Sequence, residues 1–144
     1  MCRAVYIGTR SPAPEVAWDE NAPAFNTQRL TDSDDAVRSR FRSPNVIYAG
    51  AHTGCSCGFN YGLGGATSDD PDEVAARDSV RRLRVYLEQL LRTESEIELF
   101  TCWEGEQGFS ETSRRVIGLA HFSGESFEFV QLEFLVIQRP EPAG

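Results

Sequence analysis

The sequence predicts an α+β protein, in which a mixed, mostly antiparallel sheet of about five strands carries one long amphipathic helix over 71–92 on a face. Two observations predict it. Val80, Leu83, Leu87, Leu90 and Leu91 recur at helical spacing after Asp70-Pro71-Asp72-Glu73, where a capping carboxylate precedes a first-turn proline and an acid three residues on. Around that helix, short runs rich in β-branched and aromatic residues are bounded by glycine and proline, the punctuation of strands.

In chain order, residues 3–8 read as a first strand ending at Gly8. Residues 10–30 hold Pro12, Pro14 and Pro23 and read as a long surface loop pinned by Trp18 and Phe25. Asp32-Ser33-Asp34-Asp35 opens a short helix near 33–41, with Val37 and Phe41 four apart on one face, and Pro44 ends it. Residues 45–50 form the second strand. Gly54, Gly58, Gly62, Gly64 and Gly65 then mark 51–68 as an irregular loop or bulged hairpin, with Phe59-Asn60-Tyr61 as a short third strand.

The long helix follows. Glu73 and Arg77, Asp78 and Arg82, and Glu88 and Arg92 sit four apart in the favourable order, worth about 0.2–0.5 kcal/mol each. Residues 96–103 alternate Ile97, Leu99 and Thr101 against Glu98 and Phe100, as a strand does. Residues 104–108 make a turn, and 115–122 read as another strand. The alternation over 127–137 slips between Phe129 and Leu132, which predicts a bulge or break. Pro140 and Pro142 close an exposed tail over 138–144, and the whole of 1–144 reads as a single domain.

Composition narrows the function classes. No stretch approaches the roughly 18–20 consecutive apolar residues of a membrane helix, so no membrane partner is expected. The N-terminus lacks an apolar run and a small-residue cleavage site, which predicts a cytoplasmic protein with reduced thiols. The net charge of −8 repels a phosphate backbone unless a local basic stripe offsets it, so nucleic acid is not an expected partner; all fourteen basic residues are arginine. The sequence names neither a small-molecule nor a protein partner.

One segment asks for a chemical explanation: Ala51-His52-Thr53-Gly54-Cys55-Ser56-Cys57-Gly58-Phe59. Thiols two residues apart point to the same side of an extended backbone and can grip one soft cation, zinc or similar. His52 is close enough in sequence to add an imidazole, and Cys102 completes a predicted metal set of His52, Cys55, Cys57 and Cys102. The choice of Cys102 rests on topology. If the helix is a crossover between parallel strands, Cys102 and the Cys55 loop share the carboxyl rim of the sheet, where open α/β sheets bind ligands. The same reasoning sends Cys2, at the start of the first strand, to the opposite rim. A hairpin over 46–62 would separate Cys102 from the loop.

Other readings compete. Free cysteines are commonly small apolar core residues, which makes the chain a non-catalytic interaction or structural domain. An imidazole of His52 or His121 beside Cys55 would instead activate a thiol. Met1-Cys2 resembles the start of N-terminal-nucleophile amidohydrolases, whose terminal cysteine attacks an amide with its own α-amine as base. Those enzymes need two stacked sheets between helix layers, more than one long helix and five or six short strands supply. Gly62-Leu63-Gly64-Gly65 before a helix suggests a phosphate loop, but Asp69, Asp70, Asp72 and Glu73 occupy that helix start and no lysine is available. Arg81, Arg82 and Arg84 share their helix with paired acids and read as a solvated face. Trp103-Glu104-Gly105-Glu106 reads as an aromatic anchor beside a turn.

Met1-Cys2, Asn45-Val46-Ile47-Tyr48, Gly50 to Phe59 with its G-x-H-x-G-C-x-C-G-F pattern, and Cys102-Trp103-Glu104-Gly105 together resemble a family of small uncharacterised bacterial proteins. The likeness spans most of the chain. It implies a recurring domain, with no activity or cofactor attached.

Overall fold

Six strands form one sheet in the order β2-β3-β1-β4-β6-β5, in a computed structural model that describes residues 2–63 and 69–140. The strands are β1 (Arg3–Thr9), β2 (Asn26–Arg29), β3 (Asn45–Gly50), β4 (Glu96–Trp103), β5 (Ser113–Ile117) and β6 (Glu133–Gln138). All neighbours pair antiparallel except β5 with β6, so the sheet is mixed. One long helix, α1 (Pro71–Leu90), packs on a face.

The helix starts as its sequence predicts. The Asp70 side chain accepts the Asp72 N–H at 2.9 Å, and Pro71 opens the first turn. Its stripe of Ala76, Val80, Leu83, Leu87 and Leu90 is buried against Val5, Ile7, Leu99, Leu135 and Ile137 of the sheet. Each large aliphatic side chain so buried contributes about 1.5–3 kcal/mol. Of the three expected ion pairs, Asp78 binds Arg82 at 2.8 Å and also Arg81 at 2.6 Å. Glu73 turns instead to the Gly62 N–H, and Arg77 lies over the Tyr61 ring at 5.0 Å.

The opposite face is also covered. Ala4, Tyr6, Val46, Tyr48, Phe100, Cys102 and Phe134 form a second core with Val37. Val37 belongs to a 3-10 helix, Asp32–Arg40, in which Thr31 and Asp34 cap one another reciprocally. This is the short helix expected near 33–41, wound more tightly than an α-helix. Burial on both faces explains β4, where Ile97 and Leu99 join one core and Phe100 and Cys102 the other. Glu98 survives inside by accepting the Arg42 and Ser43 N–H groups.

Four expectations need correction. The segment 10–30 is not loop throughout, since its end forms edge strand β2, paired Asn26↔Gly50 to Arg29↔Ile47. Prolines crowd its first part and leave residues 26–29 free to pair. Phe59-Asn60-Tyr61 is not a strand. Ser56–Phe59 coils as a 3-10 turn, and Tyr61 makes only a single bridge, to Phe127. The strand predicted over 115–122 runs Ser113–Ile117, because Gly118 leads into a 3-10 turn at Leu119–His121. The sheet holds six strands rather than about five.

The break expected in 127–137 is present: Leu132 sits at φ 56° with its N–H on the Thr101 carbonyl, and β6 starts after it. Of the tail, Gln138, Arg139 and Pro140 are exposed, and 141–144 lie outside the described residues, as do Met1, Gly64 and Gly65. No helix among the described residues is long and apolar enough to cross a membrane.

Candidate metal centre

Strand direction decides which cysteines meet. β1 lies between β3 and β4 and runs against both, so β3 and β4 point the same way without being neighbours. The carboxyl ends of β3 and β4 therefore share a rim with the amino end of β1. The rim holds the residue before Arg3, the loop after Gly50 and the end of β4 together.

The loop after β3 folds back on itself. Gly54, at φ 85°, donates its N–H to the Ala51 carbonyl at 3.0 Å, and Ala51 donates to the Cys55 carbonyl at 2.9 Å. Ser56 then ties the loop to the sheet. Its buried hydroxyl donates to the Ala49 carbonyl at 2.6 Å and accepts the Val5 N–H at 2.9 Å, while its own N–H reaches the Tyr48 hydroxyl at 3.0 Å. Val5 and Ala49 are register partners, so one serine spans the β1–β3 ladder where it ends.

This fold-back carries Cys57 to the start of β1, where its Sγ accepts the Arg3 N–H at 3.2 Å. Asn60 reinforces the junction by donating to the Cys57 carbonyl at 3.3 Å and accepting from the Arg3 guanidinium at 2.9 Å. Cys2 is exposed, and its carbonyl accepts the Glu104 N–H at 2.7 Å. The sulfur atoms of Cys2, Cys55 and Cys57 all lie within 4.8 Å of one another and could hold a metal ion.

The thiols are not equivalent. Burial pushes Cys55 up, but hydrogen bonds from the Thr53 hydroxyl and from the Cys57 backbone and side chain outweigh it and leave Cys55 below the ordinary thiol range. Burial pushes Cys57 up to about 11; the Arg3 N–H opposes this, and the Cys55 and Cys2 sulfurs add to it. Hydrogen bonding within the pair thus favours ionisation of Cys55 over that of Cys57.

Two members of the predicted set are elsewhere. Cys102 lies near the shared rim but is fully buried in the second core, opposite Ala4 in register, and is not among the three sulfurs that meet. Burial first, then the charges of Glu104, Glu106 and Asp34, pushes its thiol up to about 12. His52 turns toward α1, with Nδ1 3.2 Å from the Ser79 hydroxyl and Nε2 3.1 Å from Asp72. Its backbone N–H donates to the same serine at 3.0 Å, which fixes that orientation. His121 packs edge-on against Phe122 and Phe127, and burial lowers its pKa.

Cys2 is the residue that sequence reasoning misplaced. The crossover expectation holds, since β3 and β4, which flank α1, run the same way. The error lay in taking β1 to run with them, whereas it runs against both and so brings its amino end to their carboxyl rim. The 103–106 segment is held by local contacts. Glu104 accepts from Gln107 at 3.0 Å and Glu106 from Gln131 at 2.8 Å, while the Arg3 guanidinium lies 5.3 Å from the centre of the Trp103 ring. Comparison of the chain with protein-family models, curated proteins and solved structures returned no match, so the reading of this centre rests on its own geometry.

Proposed function

We propose that Cys2, Cys55 and Cys57 hold one soft, zinc-like cation through three thiolates, with the fourth position open to water or an exogenous ligand. The observation that carries this reading is the approach of three sulfurs to within 4.8 Å. Zinc–sulfur bonds of about 2.3 Å place tetrahedral sulfurs about 3.8 Å apart, a contraction that side-chain rotation accommodates. Three thiolates select a soft ion over magnesium or calcium. The Arg3 N–H at Cys57 and the Thr53 hydroxyl at Cys55 supply the supporting hydrogen bonds that orient metal-bound sulfur.

The test is metal content of protein purified without a metal-affinity tag, before and after loading with Zn²⁺ or Co²⁺. Wild type should hold about one ion per chain, with a sulfur-to-cobalt charge-transfer band, while Cys2→Ser, Cys55→Ser and Cys57→Ser each lose it. Less than about 0.1 ion per chain after loading would rule the reading out. Cys102→Ala and His52→Ala keep the stoichiometry if the centre is the one described.

A further inference from the structure

We infer that the same three sulfurs form a thiol–disulfide exchange centre for small aliphatic disulfides, in which Cys2 makes the first attack and Cys55 resolves the product as a Cys2–Cys55 bridge. Geometry assigns the roles. Cys2 is exposed and precedes the first paired residue of β1, so an external disulfide can reach it and its sulfur can shift. Cys55 is partly buried within 4.8 Å of it, with the Thr53 hydroxyl 3.5 Å from its own sulfur. Cys57 is fixed by the Arg3 N–H and by Asn60, which suits it to position the pair rather than to move.

The steps balance. The Cys2 thiolate attacks one sulfur of R–S–S–R, the external S–S bond breaks, and the leaving thiolate takes up the proton Cys2 released. The Cys55 thiolate then attacks Cys2 Sγ, the mixed disulfide breaks, and a second thiol leaves with the proton from Cys55. Two electrons pass from the two cysteines to the external disulfide, which becomes two thiols. The second step is intramolecular between sulfurs already neighbours, so it outruns a further bimolecular encounter. A disulfide needs sulfurs about 2.05 Å apart, so one side chain must swing inward by a few ångströms.

This activity does not rest on a bound ion, and its test uses the full chain stripped of metal by a chelator and reduced. The probe is hydroxyethyl disulfide, which is neutral and so insensitive to the acidic surface. Products are acid-quenched and read by intact mass and peptide mapping. Wild type should end two hydrogens lighter, with Cys2 joined to Cys55, two thiols released per chain and Cys102 unmodified. Cys55→Ser should stop at a mixed disulfide on Cys2, and Cys2→Ser should react about tenfold more slowly or worse. A wild-type chain that stalls as a mixed disulfide would overturn the inference without any variant. So would a Cys55→Ser chain that clears its mixed disulfide at the wild-type rate, or a bridge that maps to another pair. None of these outcomes bears on metal stoichiometry, so the two readings fail separately.

Discussion

Cys102 and Ser56 carry opposite lessons about single residues at this rim. Cys102 has the right element and the right end of it, yet its side chain faces the second core, where Phe100 and Phe134 also pack. Alternation along β4 puts it there with Phe100, two residues back, and complete burial withholds its thiol from the rim. Cys102→Ala should therefore cost about 1 kcal/mol in urea unfolding, as a small cavity does, and leave metal binding untouched. Ser56 looks unremarkable between two cysteines, yet its hydroxyl satisfies both Val5 N–H and the Ala49 carbonyl inside the protein. Ser56→Ala orphans both groups at once. It should destabilise the fold by about 1–3 kcal/mol and weaken metal affinity, because the loop holding Cys55 and Cys57 loses its anchor. A variant as stable as wild type in urea would show that the serine does not bind the loop to the sheet.

At the scale of elements, the loop between β3 and α1 sets the cysteines, and its shape depends on glycines packed against their neighbours. A Cβ at Gly58 would lie 2.7 Å from the Thr53 hydroxyl and 2.9 Å from both Ala51 Cβ and His52 Cε1. Gly58→Ala should therefore push Thr53 away from Cys55, loosen the 3-10 turn, and lower metal affinity by about tenfold or more, as measured by competition with a chromogenic chelator. Gly105, with nothing near its added Cβ, has no such packing constraint, although its φ of 97° still favours glycine. How far this was legible from sequence follows from what each signal encodes. The helix α1 and strands β3 and β4 were readable because periodicity, capping and glycine or proline boundaries act within a few residues of the chain. β2 was not, because a four-residue edge strand with two exposed positions carries almost no alternation. The cysteine pair 55 and 57 was readable as a candidate from spacing, but its partner was not. That choice depended on β1 lying between β3 and β4, which is a property of strand order and leaves no mark in local sequence.

For the molecule as a whole, both cores hold protons that an unfolded chain would release at high pH. Burial raises the pKa of all four tyrosines, Tyr6, Tyr48, Tyr61 and Tyr86, with Tyr86 reaching about 12. At Tyr6 the Asp34 carboxylate, accepting its hydroxyl at 2.6 Å, adds to the effect. Burial likewise lifts the thiols of Cys57 and Cys102 to about 11 and about 12. Every one of these folded values lies above the unfolded reference, about 8.5 for a thiol and about 10 for a phenol. Cys55, held below the ordinary thiol range, works the other way, but four phenols and two thiols outnumber it, so the folded state binds more protons in this range and stability falls as pH rises. The contribution is complete below about pH 8 and is lost progressively through pH 10 toward 12. Urea midpoints should accordingly decline above about pH 8.5, first through Cys57 and Cys102 and then through the phenols. Phenolate absorbance should lag behind that of free tyrosine, and the share from Tyr6 and Tyr86 should rise only together with loss of the far-ultraviolet helix signal, because ionising either requires opening the core. Four phenols all titrating near pH 10 in a chain that keeps its native dichroism would contradict the buried placement of Tyr6 and Tyr86. It would loosen with them the sheet that brings the three sulfurs to one rim.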